Sequence, residues 1–247
     1  MPGGRRAPAI DRKATTMTSR IYAFEPAAIP ALPIDGTKEL FPVRRIYCVG
    51  RNYAAHAVEM GHDPNKEPPF FFQKSPGNVS LVDGKFPYPP QSQDVHFEIE
   101  MVVALGKGGR DIAAESALEH VFGYAVGLDM TRRDLQNEAK ELRRPWEVSK
   151  AFEHSAPCGP ILPVAVVGHP NTGTIAVDVN GERRQTGDLS QMIWKVPEII
   201  SYLSRFFELG AGDLIFSGTP AGVGSVSRGD VMVGHVDGLG DLTVAVV

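Results

Sequence analysis

The stretch His96-Phe97-Glu98-Ile99-Glu100-Met101-Val102-Val103-Ala104-Leu105 alternates charged and apolar residues in its first half and is wholly apolar in its second. Residues 98–105 therefore read as a β-strand that starts half-exposed and ends buried on both faces. Alternate side chains of a strand share a face, with same-face Cα atoms about 6–7 Å apart, so Glu98 and Glu100 can reach one ion. Two carboxylates held that close repel unless positive charge sits between them. A bound cation meets that need. A solvent-facing edge with both glutamates in water is the competing reading, and for the pair alone the commoner one. Asp129 shifts the balance, because it closes the apolar run 122–128, where a carboxylate is out of place unless it is a ligand or a helix cap. Thr131 already offers a cap. Three carboxylates without a thiolate suit Mg²⁺, with Mn²⁺ as an alternative. His96 shares the parity of Glu98, which leaves a mixed histidine and carboxylate site for a softer metal as a second reading.

Upstream, residues 45–49 read as a strand, and Gly50-Arg51 leads into a short helix. Asn52 is its expected N-cap, 53–60 its body, Gly61 its left-handed terminator, and Pro64 forbids resumption. His56 and Glu59 lie at i and i+3 on one face. A carboxylate-supported imidazole is what a general base for water requires, although an ordinary surface pair has the same spacing. Residues 68–73 form a further strand candidate. Downstream, 112–121 is expected to be helical, 122–129 a buried strand, and 131–142 a helix with a Thr131/Asp134 capping box and a buried stripe of Leu135, Ala139 and Leu142. Residues 174–185 read as a hairpin turning at Asn180-Gly181. Residues 197–209 read as a helix with Ile199, Leu203 and Phe206 on one face, and 213–247 as short strands separated by glycines.

The 247 residues include 26 Gly and 20 Pro, which favours turns and short strands over a helical bundle. Pro26, Pro30, Pro33 and Pro42 make 21–44 a short extended segment. Residues 1–20, with five basic side chains against Asp11, read as a disordered basic tail, and Met17 as the expected biological start. The remaining body is acidic, a poor match for nucleic acid. No apolar run is long enough to span a bilayer. Two cysteines, Cys48 and Cys158, exclude a disulfide scaffold or a four-thiolate zinc site and suit a reducing cytoplasm. The glycine-flanked serine nucleophile of the α/β-hydrolases, the phosphate loop and the His-Glu-x-x-His zinc helix are all absent.

The ordered series Gly50-Arg51-Asn52-Tyr53, His56-x-x-Glu59, Phe72-Gln73-Lys74, Glu98-x-Glu100, Asp129-Met130-Thr131-x-Arg133-Asp134-x-Gln136, Lys150 and Gly218-Thr219-Pro220 resembles the fumarylacetoacetate hydrolase superfamily, from about Arg45 to the C-terminus. Within it the likeness is strongest to the short acylpyruvase branch and its bacterial fumarylpyruvate hydrolases. The resemblance implies an α+β, β-rich fold, a mixed β-sandwich roll with a few short helices, over residues 45–247. It implies Mg²⁺ on Glu98, Glu100 and Asp129, with His56 and Glu59 activating water from a lid helix. Lys150 would support a leaving enolate, and Arg133, Gln136, Thr219, Lys74 and Arg51 would contact substrate. The implied reaction is hydrolysis of a C–C bond in a diketo acid, with fumarylpyruvate giving fumarate and pyruvate in the gentisate pathway, by a homodimer. An oxaloacetate decarboxylase, a related oxo-acid isomerase, and a non-catalytic β-rich protein with a structural cation are the alternatives.

Overall fold

The structure is a computed structural model that describes residues 22–59, 68–80 and 84–247. The basic tail, Met17, Gly61 and Pro64 lie outside the described residues, as does the side chain of Glu59. The strand that opens the sequence reading is Ile99–Leu105, buried along its whole length. It runs inside a six-stranded sheet, in the order Leu162–Pro163, Val121–Leu128, Ile99–Leu105, Asp213–Phe216, Arg45–Gly50, Phe70–Lys74. Asp213–Phe216 and Arg45–Gly50 pair in parallel and the other neighbours are antiparallel. A five-stranded sheet faces it, in the order Glu182–Asp188, Thr174–Val179, Val231–Val236, Gly240–Val246, Lys85–Phe86.

Odd-numbered residues of the central strand, Ile99, Met101 and Val103, enter the main core together with Ile175, Val177 and Met232 of the facing sheet. Even-numbered Val102 and Ala104 enter a second core on the outer face, closed by Leu32 and Phe41. Those two belong to a small antiparallel pair, Ala31–Pro33 with Leu40–Pro42, formed by the proline-rich N-terminal segment. This double burial explains the continuous apolar run. Cys48 and Cys158 are buried free thiols in the outer core.

The expected strand 98–105 is interrupted at its first residue. Val95–Phe97 belongs instead to a three-stranded sheet with Thr131–Arg132 and Gly224–Val226. Ile99 lies opposite Leu128 and His96 opposite Thr131, so the register places Glu98 against Asp129 where two adjacent strands step together from one sheet to the other. The Asp129 N–H donates to the Glu98 carbonyl at 2.9 Å.

Two expected helix starts are corrected. Thr131 is a strand residue whose hydroxyl donates to the Asp129 carbonyl, and the helix begins one turn-fraction later, Arg133–Glu141. Its buried positions are Arg133, Gln136 and Ala139, whereas Leu142 is exposed. The helix turns its polar face inward because it covers a charged pocket rather than the core. Asn52 likewise caps nothing. Its amide donates to the Trp194 and Ser217 carbonyls and accepts from the Trp194 N–H, and the helix that follows is Ala54–Glu59. The segment expected as a helix over 112–121 is a 3₁₀ helix, Ala114–His120. The hairpin turns at Asn180-Gly181 as expected, both with positive φ. The helix expected over 197–209 is Val196–Ser204, with Ile199 and Leu203 buried and Phe206 exposed. No helix of the described residues is long and apolar enough to cross a membrane.

Candidate active site

Glu98, Glu100 and Asp129 meet at the step between the sheets, all buried, with one ligand atom from each lying within 4.8 Å of the others. Three cations surround them. Lys150, at the end of the short helix Glu147–Lys150, donates to Glu98 Oε2 at 2.8 Å and Asp129 Oδ2 at 2.7 Å. Arg133 donates to Glu98 Oε1 at 2.5 Å and to Gln136 Oε1 at 2.5 Å. Lys74 pairs with Asp129 Oδ1 at 2.8 Å and donates to the carbonyls of Met130 and Lys150.

Lys74 was expected to face substrate. It is instead buried beneath Asp129, with its ammonium committed to protein oxygens. The remaining site candidates whose side chains are described converge. His56, Arg51, Arg133, Gln136, Lys150 and Thr219 line one pocket with the three carboxylates. His96 stands outside that cluster, its Nε2 2.9 Å from Asp94 Oδ1, which removes the mixed-ligand reading.

The charges are not evenly matched. Burial pushes the Glu98 carboxyl up, but the Lys150 and Arg133 charges outweigh it and hold the group well below the usual carboxylate range. Glu100 behaves oppositely: burial and the neighbouring Asp129 and Glu98 charges push it well up. Its oxygen accepts the neutral Gly218 N–H at 2.7 Å. Gly218 is the residue this contact needs, since its φ is +97° and a Cβ there would meet the Asn52 Cβ at 2.6 Å. For Lys150, burial alone favours the neutral amine, but Asp129 and Glu98 reverse that and raise its pKa. Glu100 thus sits in the negative potential of Asp129 and Glu98. Three converging, buried oxygen donors fit a hard divalent cation, and these three residues would hold it.

Local reading missed three features of the pocket. Phe70 and Trp146 form an aromatic wall, in edge contact with ring centroids 5.3 Å apart, and Phe70 lies so close over Gly50 that any Cβ there would strike its ring. Lys140 enters the same pocket half-buried, 5.7 Å from the Trp146 ring centroid. Its signal was present, since it follows Arg133 by seven residues and Gln136 by four, on one helix face. Burial, with the charges of Arg133 and Arg51, lowers the Lys140 pKa to about 8.

The family model for the fumarylacetoacetate hydrolase C-terminal region matches residues 45–247. The chain belongs to the fumarylacetoacetate hydrolase family. It is an enzyme of that carbon–carbon hydrolase family, and the β-rich α+β fold is the family's C-terminal fold. A solved structure of fumarylpyruvate hydrolase from Pseudomonas aeruginosa, in complex with Mn²⁺ and pyruvate, is 57% identical, with a TM-score of 0.90, over 92% of this chain and 99% of that one. The fumarylpyruvate hydrolase of a Ralstonia species is 41% identical over 184 residues, 74% of this chain and 95% of the relative. A mitochondrial oxaloacetate decarboxylase of Dictyostelium discoideum is 40% identical over 196 residues, 79% of this chain and 90% of the relative. Family members this similar therefore carry more than one reaction of oxo acids.

Proposed function

We infer that the chain is a Mg²⁺-dependent acylpyruvase that splits fumarylpyruvate and water into fumarate and pyruvate. The observation that carries this reading is the charge balance of the buried cluster. Lys74, Lys150 and Arg133 offset Glu98, Glu100 and Asp129, so a divalent cation leaves the cluster two positive, the match for a substrate with two carboxylates. The bound cation supplies Lewis-acid stabilisation of negative charge on the oxygens of the 2-oxo acid end. Mn²⁺ offers the same chemistry.

The chain's own groups do the rest. Arg133 and Gln136 orient the substrate's 2-oxo acid end. His56 takes a proton from water as its oxygen adds to the distal carbonyl, and Glu59 supports the imidazolium. Collapse of the adduct breaks the C–C bond, and the electron pair leaves on the pyruvate fragment as its enolate, which takes a proton at carbon. The Lys150 ammonium lies beside that developing charge. With Lys74 committed to Asp129, the distal carboxylate falls to Arg51 and Lys140 at the pocket mouth; among the described residues no carboxylate pairs with Lys140. Lys140→Met is expected to raise KM for fumarylpyruvate about 10-fold or more, the scale of a lost hydrogen bond to a charged group, and to leave KM for acetylpyruvate unchanged. In the wild type, KM for fumarylpyruvate should climb above pH 8 as Lys140 loses its proton, and this dependence should vanish in the variant. Equal losses for both substrates would remove Lys140 from the distal site.

The test of the reaction is a panel of fumarylpyruvate, maleylpyruvate, acetylpyruvate and oxaloacetate with Mg²⁺. Loss of diketone absorbance with release of two acids, fastest for fumarylpyruvate, is the expected result. The oxaloacetate decarboxylase relative supports a second reading, in which the same cluster stabilises an enolate formed by loss of CO₂. CO₂ from oxaloacetate without hydrolysis of any acylpyruvate would replace the first reading with the second.

A further inference from the structure

Gln185 lies in the strand Glu182–Asp188, distant in sequence from every residue that lines the pocket, and is 1% exposed. Its Oε1 accepts the Ile99 N–H at 3.1 Å, between the two glutamates of the cluster. Its Nε2 donates to the Pro220 carbonyl at 2.6 Å and lies 2.7 Å from Thr219 Oγ1. These partners fix the amide without ambiguity, because a backbone N–H can only donate and a carbonyl can only accept. Both amide hydrogens are then spent, one on Pro220 and one on Thr219. The Thr219 hydroxyl must therefore accept from Gln185, and its single proton is left to be given elsewhere. Thr219 lines the pocket beside Glu100 and Asp129.

We propose that Gln185 is a positioning residue that occupies one lone pair of the Thr219 hydroxyl and so aims its proton at an unprotonated oxygen, carboxylate or enolate, at the 2-oxo acid end of the substrate. The same amide ties the Gly218-Thr219-Pro220 loop to the backbone at Ile99, so the donor is held at a fixed offset from Glu98 and Glu100. This rests on the reading that a 2-oxo acid occupies the pocket, and it adds a requirement that the carboxylate cluster alone does not impose.

The test uses the Mg²⁺-loaded full chain and pyruvate as the probe, with affinity measured by calorimetry and Tm recorded for each variant. Thr219→Val is expected to weaken pyruvate by roughly 10- to 100-fold, the scale of one hydrogen bond to a charged group. Thr219→Ser, which keeps the proton, should bind nearly as the wild type. Gln185→Met should weaken pyruvate to a similar degree although it touches no ligand, and Gln185→Met/Thr219→Val should bind no more weakly than Thr219→Val alone, since both act through one proton. A Gln185 role confined to packing would lower Tm and give losses of affinity that multiply. If Gln185→Met does not fold, Gln185→Glu keeps an acceptor for the Ile99 N–H while removing the donor to Thr219, and the same loss is expected. Pyruvate binding that is unchanged in the Gln185 variants, or multiplicative losses in the double variant, overturns this inference alone. Absence of pyruvate binding to the wild type overturns the functional reading and this inference with it.

Discussion

Glu98→Gln is expected to lower kcat/KM for acylpyruvate hydrolysis by about 10³-fold or more, the scale of removing a principal electrostatic element of an active site. The side chain joins two of the three cations of the cluster. One oxygen receives Arg133, the other receives Lys150, and Glu98 also offers one of the three donors that would hold the metal. Glutamine is nearly the same size, so the change removes charge and one acceptor without opening a cavity. Lys150 keeps Asp129 and Arg133 keeps Gln136, which is why the variant should fold. EDTA should produce the same loss in the wild type, and Mg²⁺ or Mn²⁺ should restore it. Metal binding should also register without turnover. At a metal concentration 100 times Kd the native state gains about 2.7 kcal/mol, worth about 5–10 °C in Tm for a chain of this size. That shift should be absent from Glu98→Gln. Turnover that survives both EDTA and this substitution would remove the metal from the mechanism.

The elements legible from sequence were those whose causes are local. The alternation at residues 98–101 and the apolar run after it lead to a strand buried on both faces, and Asn180-Gly181 meets the positive-φ demand of its turn. The failures share one cause, which is that long-range partners displaced local ones. Asn52 resembles a helix cap, but its amide is taken by Trp194 and Ser217, 142 and 165 residues away. Thr131 resembles a cap as well, yet strand pairing with His96 holds it. On the helix Arg133–Glu141, periodicity locates an apolar stripe and assumes that it faces inward, whereas a helix covering a charged pocket buries Arg133 and Gln136. The acidic cluster was readable because three carboxylates next to apolar runs are anomalous on their own. Lys74 and Gln185 were not, because a buried lysine or amide is identified only by the oxygens it reaches, and those come from distant strands.

His56→Ala is expected to cut acylpyruvate hydrolysis by roughly 10²–10⁴-fold, the usual contribution of a general base, with little change in KM. His56 is buried in the pocket that holds Glu98 and Arg133. It stands on a six-residue helix, Ala54–Glu59, too short to persist without tertiary support. That support comes from the residue before it in the fold: Tyr53 bridges to Met192, and the Asn52 amide pins the chain to Trp194 and Ser217. The imidazole is thus presented by a small element anchored at its N-terminal end, in the pocket lined by Arg133 and Lys150. Two readouts separate base catalysis from packing. The acid limb of the kcat/KM profile, which reports deprotonation of the base, should disappear in His56→Ala, and any oxaloacetate decarboxylation by the wild type should survive the substitution because loss of CO₂ needs no activated water. Loss of both reactions in parallel, or a fall in hydrolysis of less than about 10-fold, well under the general-base range, would move His56 from proton transfer to closure of the pocket. The pair of substitutions then divides the mechanism. Glu98→Gln should abolish every reaction that passes through an enolate, whereas His56→Ala should abolish only the one that consumes water.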